Sequence, residues 1–418
     1  VPLPFQRSPH FHALTLALGL FLAACGGATP VVVSPTSAAT PTELGQAATR
    51  PAPTATLTRT AVLSAPTPTP SVTAPPTASP TPTIPTNTVV ERGALPPGFS
   101  LTVWGSVHRP TSLAFGPDGR LYAASANGLV YALHDADGDQ RAEPAEAYVT
   151  NLPVPLGLAW VGDTLFVSYT GAVAAVRDLD GNGAADNVRL IVSGLPSLGL
   201  HQNDGLALGA DGYLYLGQGT DCDHCRQHDA RNGTILRFKP DGSDFSVYAT
   251  GMRNPYDVAF NAVGDLFATD NGRDDLGWDQ PPEELNLVRQ GVDYGWPDCW
   301  TGNVEGLCAT RAQAVATFTA HKSANGLAFY HGTQFPAEYF DNAFVAVLGA
   351  INLRPGDPER GVVRVQLTRS GDSYTSVTAL FLDLPDGRPL DVTIGPDGAL
   401  YVADYINDSI YRIVYGAP

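Results

Sequence analysis

Lysine is almost missing from this chain. Lys239 and Lys322 are the only two in 418 residues, and 24 basic side chains face 41 acidic ones, a formal net charge of −17. Such a balance excludes a nucleic-acid-binding face, which needs a basic surface to neutralise phosphates. Any anion held here must be held mainly by arginine, whose rigid fork suits carboxylates. No long amphipathic helix pattern is evident, so a helical-repeat architecture is excluded. Cysteine is scarce too: Cys25 stands apart, and Cys222, Cys225, Cys299 and Cys308 can close two short loops. In an exported protein, Cys222–Cys225 and Cys299–Cys308 read as two disulfides. A zinc site is the competing reading, but one C-x-x-C with a distant, widely spaced second pair is a poor zinc pattern. The flanks of Cys222 show no helix start that would lower a thiol pKa, as a redox-active C-x-x-C requires.

The sustained apolar run near the beginning, Ala13 to Ala24, is too short to span a bilayer. With Arg7 ahead of it, residues 1–24 read as an export signal. The run ends in Leu22-Ala23-Ala24-Cys25, which resembles a bacterial lipobox and implies cleavage before Cys25 and lipid on its thiol. A plain secretory signal with an incidental cysteine is the alternative. Residues 25–93 form the linker: Pro, Thr, Ala, Ser and Val with little charge, unable to bury a core. At about 3.1 Å per residue, the stretch from 28 to 88 reaches at most about 190 Å. The expectation is a stalk that holds residues 94–418 clear of a membrane, lipid-anchored on the extracytoplasmic face.

The body is organised around His201 to Gly219, HQNDGLALGADGYLYLGQG. A polar approach, a short apolar strand, an Asp-Gly turn and an alternating strand make a β-hairpin signature. Five cruder copies begin at Pro110, Pro155, Pro255, Asn325 and Pro389. The six recur at roughly 45 to 70 residues, a propeller period. The expected fold is all-β, a six-bladed β-propeller of four-stranded blades. Two acidic loops, Asp135-Ala136-Asp137-Gly138-Asp139 and Asp178-Leu179-Asp180-Gly181-Asn182, interrupt the early blades. Carboxylates at alternate positions can wrap calcium. An Asx-rich surface turn explains them equally well, and neither shows the full EF-hand frame.

In a propeller, the segments leading into each blade's first strand open on one end of the central channel. Here they hold His108 and Arg109, then Pro153 to Pro155, His201 and Gln202, Arg253 and Asn254, His321 and Lys322, and Arg388. Five of six place a cation or imidazole just ahead of the strand. An acidic protein that aims its few cations at one mouth is building an anion site.

The body resembles the soluble pyrroloquinoline-quinone (PQQ) dependent sugar dehydrogenases, especially the sorbosone dehydrogenase-like branch. The resemblance runs through Tyr248-Ala249-Thr250-Gly251-Met252-Arg253-Asn254-Pro255, Ala268-Thr269-Asp270-Asn271-Gly272-Arg273-Asp274-Asp275, Pro281-Pro282-Glu283-Glu284-Leu285-Asn286 and Tyr294-Gly295-Trp296-Pro297. Ala320-His321 and Gly387-Arg388-Pro389-Leu390-Asp391-Val392 fit as well. It implies PQQ and calcium at the channel mouth. His201 matches the catalytic base, taking a sugar hydroxyl proton while hydride passes to the quinone. Arg253 and Asn254 match residues that bind the cofactor, Arg388 matches a carboxylate clamp, and His321 and Arg360 join the cofactor-binding set. Gly272 and Arg273 match positions whose carbonyls hold calcium, which polarises the quinone as a Lewis acid. A small-molecule sugar and an external quinone or cytochrome acceptor complete the expected partners; no haem motif is present, since Cys225 is followed by Arg226.

The chain departs from the glucose-oxidising pattern in places. A lysine that grips PQQ falls at Glu359, an arginine near Arg388 is Leu390, and Leu200 replaces an acid before His201. Another family run reads Leu348-Gly349-Ala350-Ile351-Asn352-Leu353, with Arg354 and Arg360 placed to compensate. Two alternatives therefore stand beside the oxidoreductase: a propeller that binds a ligand without catalysis, and a calcium-dependent lactonase. The second needs several carboxylate or Asn side chains converging on the channel, whereas the lead-in loops offer mostly cations.

Overall fold

The computed structural model describes residues 94–350 and 360–417. The expected signal, Cys25 and the expected linker lie outside the described residues, as do Ile351, Asn352, Leu353, Arg354 and Glu359. Within the body, 24 strands form six four-stranded antiparallel sheets, and the described residues contain only two short 3-10 turns besides. The first strands of the six blades are β2 (Pro110–Phe115), β6 (Gly157–Val161), β10 (Asn203–Leu208), β14 (Pro255–Phe260), β18 (Ala324–Phe329) and β22 (Pro389–Ile394). Each touches the first strand of the blade before and after it, and β22 meets β2, so the six close a ring. We number the blades I to VI in that order. Blade VI is completed by β1 (Phe99–Ser106), which pairs with the last strand, β24 (Ser409–Tyr415), from Phe99↔Tyr415 to Ser106↔Ser409.

Successive side chains of a strand point to opposite faces. Because each blade is covered on both sides, its central strands are continuous apolar runs rather than alternating ones. In β23 (Leu400–Asp404), Leu400 and Val402 pack towards blade V, while Tyr401 and Ala403 pack towards blade I. Every pair of neighbouring blades shares such a cluster, six in all among the described residues. Outermost strands are wetter: Asn187–Ser193 exposes its first four residues.

Near the axis the first strands come too close for most side chains. A Cβ on Gly326 would lie 2.1 Å from Asp391 Oδ1, and one on Gly205 would lie 2.1 Å from Asp257 Oδ1. Glycine therefore faces aspartate across these two junctions. The aspartates lock the ring through backbone donors of the next blade: Leu327 N–H donates to Asp257 (2.8 Å) and Leu113 N–H to Asp391 (2.6 Å). Asp204, beside Gly205, is 3% exposed and its Oδ2 has no hydrogen-bond partner among the described residues.

Burial raises the pKa of Asp204 and Asp391 well above the ordinary carboxylate value, with Asp257 adding to both, and pushes Asp257 up to about 7. Burial likewise raises Asp270, and lifts Glu283 to about 7. A carboxyl whose pKa is higher folded than unfolded binds more protons in the native state. Its stabilising effect is present below the unfolded value and is lost as pH rises through the folded one. Thermal melts are therefore expected to show a higher Tm at pH 5 than at pH 8. Asp204→Asn keeps the shape and abolishes one titration, so it should raise Tm at pH 8 and leave it nearly unchanged at pH 5; an equal shift at both would show that Asp204 is ionised in the fold.

Candidate functional site at the channel mouth

All six lead-in loops open at one end of the ring, as do the connections between second and third strands. Three of those connections are short: 126–128, 170–171 and 405–408. Three are long: 219–233, 271–282 and 348–360. Among the described residues, the mouth is thus walled on blades III and IV and low on I, II and VI. Backbone strain gathers at the same end. Arg109 (φ 43°), Val154 (φ 44°), His321 (φ 62°) and Ser323 (φ 56°) all hold positive φ in lead-in loops. Such residues cost roughly 1–3 kcal/mol each and persist where the surroundings over-determine them.

The structure brings His201, Arg253, Asn254 and His321 together across blades III to V. His201 N–H donates to Thr220 O (3.0 Å), its Nδ1 lies 3.3 Å from Thr220 Oγ1, and Thr220 N–H donates to Arg253 O (3.0 Å). Gly219 separates the two side chains that matter most here. A Cβ on it would lie 2.4 Å from His201 Cβ and 2.7 Å from Asn254 Oδ1. Removal from water and the Arg253 cation together push the His201 pKa down to about 3, so the imidazole is neutral at ordinary pH. His321 is the opposite case. Its Nδ1 meets Asp274 Oδ1 (3.1 Å) and its Nε2 meets Gly277 O (2.6 Å), two acceptors, and the Asp274 bond raises its pKa. Both of its ring nitrogens are thus engaged, unlike those of His201.

Arg253 is 5% exposed, and its guanidinium is already matched. Nη2 lies 2.9 Å from Asp223 Oδ1 and 3.1 Å from Asp274 Oδ2, while Nη1 donates to Asn271 O (3.2 Å). The sequence expectation of a bare cationic mouth is corrected in this respect: carboxylates from two long connections neutralise it from within. Arg253 Nε, Asn254 Oδ1 and Arg360 Nη2, buried around the mouth, nevertheless lack hydrogen-bond partners among the described residues. Arg388 Nη1 donates to Leu348 O (3.1 Å), and Arg360 Nη1 to Pro385 O (3.0 Å). Loss of water and the nearby Arg360 cation lower the Arg388 pKa, which marks these arginines as an anion-seeking pair on blades V and VI. His108 sits apart on the low side, 3.1 Å from Asp408.

At the expected calcium position, Gly272 N–H donates to Glu283 Oε2 (2.7 Å), and Arg273 turns its side chain away to Asp275 and to Pro297 O (2.8 Å). Neither carbonyl oxygen accepts a hydrogen bond from a described residue. The two acidic loops lie at the other end of the ring, between third and fourth strands. Asp135, Asp137 and Asp139 place carboxylate oxygens within 4.8 Å of one another there. Both cysteine pairs are disulfides, with Cα–Cα distances of 6.1 Å for Cys222–Cys225 and 5.5 Å for Cys299–Cys308; the zinc alternative falls away. The sequence reading missed Asp223 and Asp274 at the rim. It also missed Asp204, Asp257 and Asp391 below it, although the first strands NDG, YDV and LDV display them.

Residues 105–412 match the family described as "Domain of unknown function (DUF7133)". The chain belongs to the DUF7133 family. This DUF7133 chain shares its fold with a Trichoderma reesei family AA12 carbohydrate-active enzyme (TM-score 0.65, 19% identity, covering 79% of this chain and 98% of that one). It likewise matches the PQQ domain of a Coprinopsis cinerea pyranose dehydrogenase (TM-score 0.64, 16% identity, 77% and 97%). Quinoprotein glucose dehydrogenase B of Acinetobacter calcoaceticus is 28% identical over 172 residues, 33% of this chain and 34% of that protein. The DUF7133 chain therefore shares the propeller fold of these solved structures, with six blades.

Proposed function

We propose that the protein is an oxidoreductase that uses PQQ and calcium to oxidise a sugar or related alcohol at this mouth. The observation that carries the reading is the meeting of a neutral imidazole with a buried Arg-Asn pair across Gly219. The donor set suits the group. Arg253 Nε and Arg360 Nη2 are buried donors without described partners, as a ligand rich in carboxylate and carbonyl oxygens requires. Arg253, Asn254, Arg388, Arg360 and His321 would hold it, and the carbonyls of Gly272 and Arg273 would face calcium. When bound, PQQ supplies a two-electron acceptor for the substrate's hydride, and calcium supplies the Lewis acid.

His201 does the protein's own chemistry. With Nδ1 beside Thr220 Oγ1, Nε2 is left to accept the hydroxyl proton. An external quinone or cytochrome would accept the electrons. We place the protein on the extracytoplasmic face of the cell membrane, tethered through lipid on Cys25. The test is to add PQQ and calcium to the apo-protein and follow dye reduction with a panel of aldoses and polyols. Turnover that requires both additions supports the proposal. No PQQ binding at micromolar concentration favours a non-catalytic binding propeller, and sugar-lactone hydrolysis without quinone favours the lactonase.

A further inference from the structure

We propose that Asp223 is a built-in counter-anion for Arg253, held in place by the Cys222–Cys225 bridge, and that it sets how tightly the mouth binds an anionic ligand. It shares the mouth with the function proposed above but rests on no redox chemistry. The bridge closes a loop containing only Asp223 and His224, so neither backbone can swing away. Asp223 Oδ1 lies 2.9 Å from Arg253 Nη2 and also accepts from Asp274 N–H (2.8 Å). His224 Nδ1 lies 3.5 Å from Asp275 Oδ2, and Asp275 grips Arg273. Arg226, just past the bridge, reaches Asp298 (2.8 Å), next to the second disulfide at Cys299. The loop is thus pinned to the rim at three points.

The consequence is electrostatic. Asp223 and Asp274 both reach the Arg253 guanidinium, so a ligand carboxylate that approaches Arg253 meets Asp223 already there. Arg253 is nearly buried, which keeps the competition close and weakly screened. Asp274 has a second duty to His321, whereas the charge of Asp223 is directed to Arg253 alone among the described cations. Asp223 is therefore a positioning residue that acts through Arg253.

Asp223→Asn removes the charge and keeps an oxygen that can accept from both Arg253 and Asp274 N–H. Citrate, a redox-inert tricarboxylate, is the probe, titrated by isothermal calorimetry into the full-length protein. D223N is expected to bind it about tenfold tighter than the unmodified protein, about 1.4 kcal/mol, with a steeper loss of affinity as salt rises. D223E should restore the original affinity and salt slope, and the double variant C222S/C225S should move in the same direction as D223N. Equal or weaker binding by D223N, or no citrate binding by either protein at tens of millimolar, overturns the proposal. Should D223N not fold, C222S/C225S is judged by the same criteria. A parallel PQQ titration bears only on the oxidoreductase reading, so the two ideas fail separately.

Discussion

Replacing His201 by alanine is expected to lower PQQ- and calcium-dependent dye reduction by about 10²–10⁴-fold, the usual worth of a positioned general base, with PQQ affinity and Tm nearly unchanged. The fold should tolerate the change because the hydrogen bond from residue 201 to the ring is made by its backbone N–H to Thr220 O, which alanine keeps. The side chain contributes one 3.3 Å contact to Thr220 Oγ1. The pH dependence is equally diagnostic. Burial and Arg253 hold the imidazole neutral down to about pH 3 in the ligand-free protein, so NMR titration of its ring protons should show no transition near the ordinary 6.5. The same depressed pKa costs stability in acid. The unfolded chain takes up a proton as pH falls below about 6.5, and the native state does so only near 3, so this contribution is lost as pH falls. H201A should therefore flatten the acid side of the Tm profile. Retained turnover in H201A would remove the imidazole from the chemistry, and a collapse of Tm would recast it as structural.

The ring was legible because it repeats. Each blade's first two strands carry an apolar, turn, apolar pattern, and a strand buried on both faces is apolar throughout, so LYAAS at 121–125 and LYVAD at 400–404 look alike. The mouth was legible as far as its lead-in loops, since these keep a fixed offset from each first strand. The counter-charges were not. Asp223 and Asp274 lie 30 and 21 residues from Arg253 on connections with no period, and only the curvature of the ring delivers them to one guanidinium. Asp204, Asp257 and Asp391 stood in plain view within the repeats. For Asp257 and Asp391 the role depends on the glycine opposite, Gly205 and Gly326, a relation between blades that a single hairpin does not express. The disulfides were readable for the reverse reason: both partners are close in sequence, and no long-range geometry is needed.

Removing β1 is expected to be the most damaging change to the fold: a chain that begins at Val107 should not reach a soluble native state. The reason lies in how blade VI is assembled. Its first three strands come from the end of the chain and its fourth from residues 99–106, over 300 residues before the β24 strand it pairs with. Without that strand, β24 becomes an exposed edge, and two blade interfaces lose side chains at once, Leu101 towards blade V and Trp104 towards blade I. No later segment can replace it, because every other strand of the ring is paired within its own blade. A single side chain reports the same seam. The Phe99 ring meets Phe335, Tyr339, Phe381 and Tyr415 edge-on at centroid distances of 4.8, 5.2, 5.0 and 5.0 Å. Phe99→Ala should cost about 3–5 kcal/mol, as large-to-small changes among packed aromatics do, and lower Tm in thermal melts. Phe99→Leu, which keeps most of the volume but loses the edge-on contacts, should cost clearly less. Equal losses in the two variants would mean that shape at the seam matters less than the aromatic contacts. A negligible loss in both would mean that the ring is held closed by the β1–β24 backbone ladder alone.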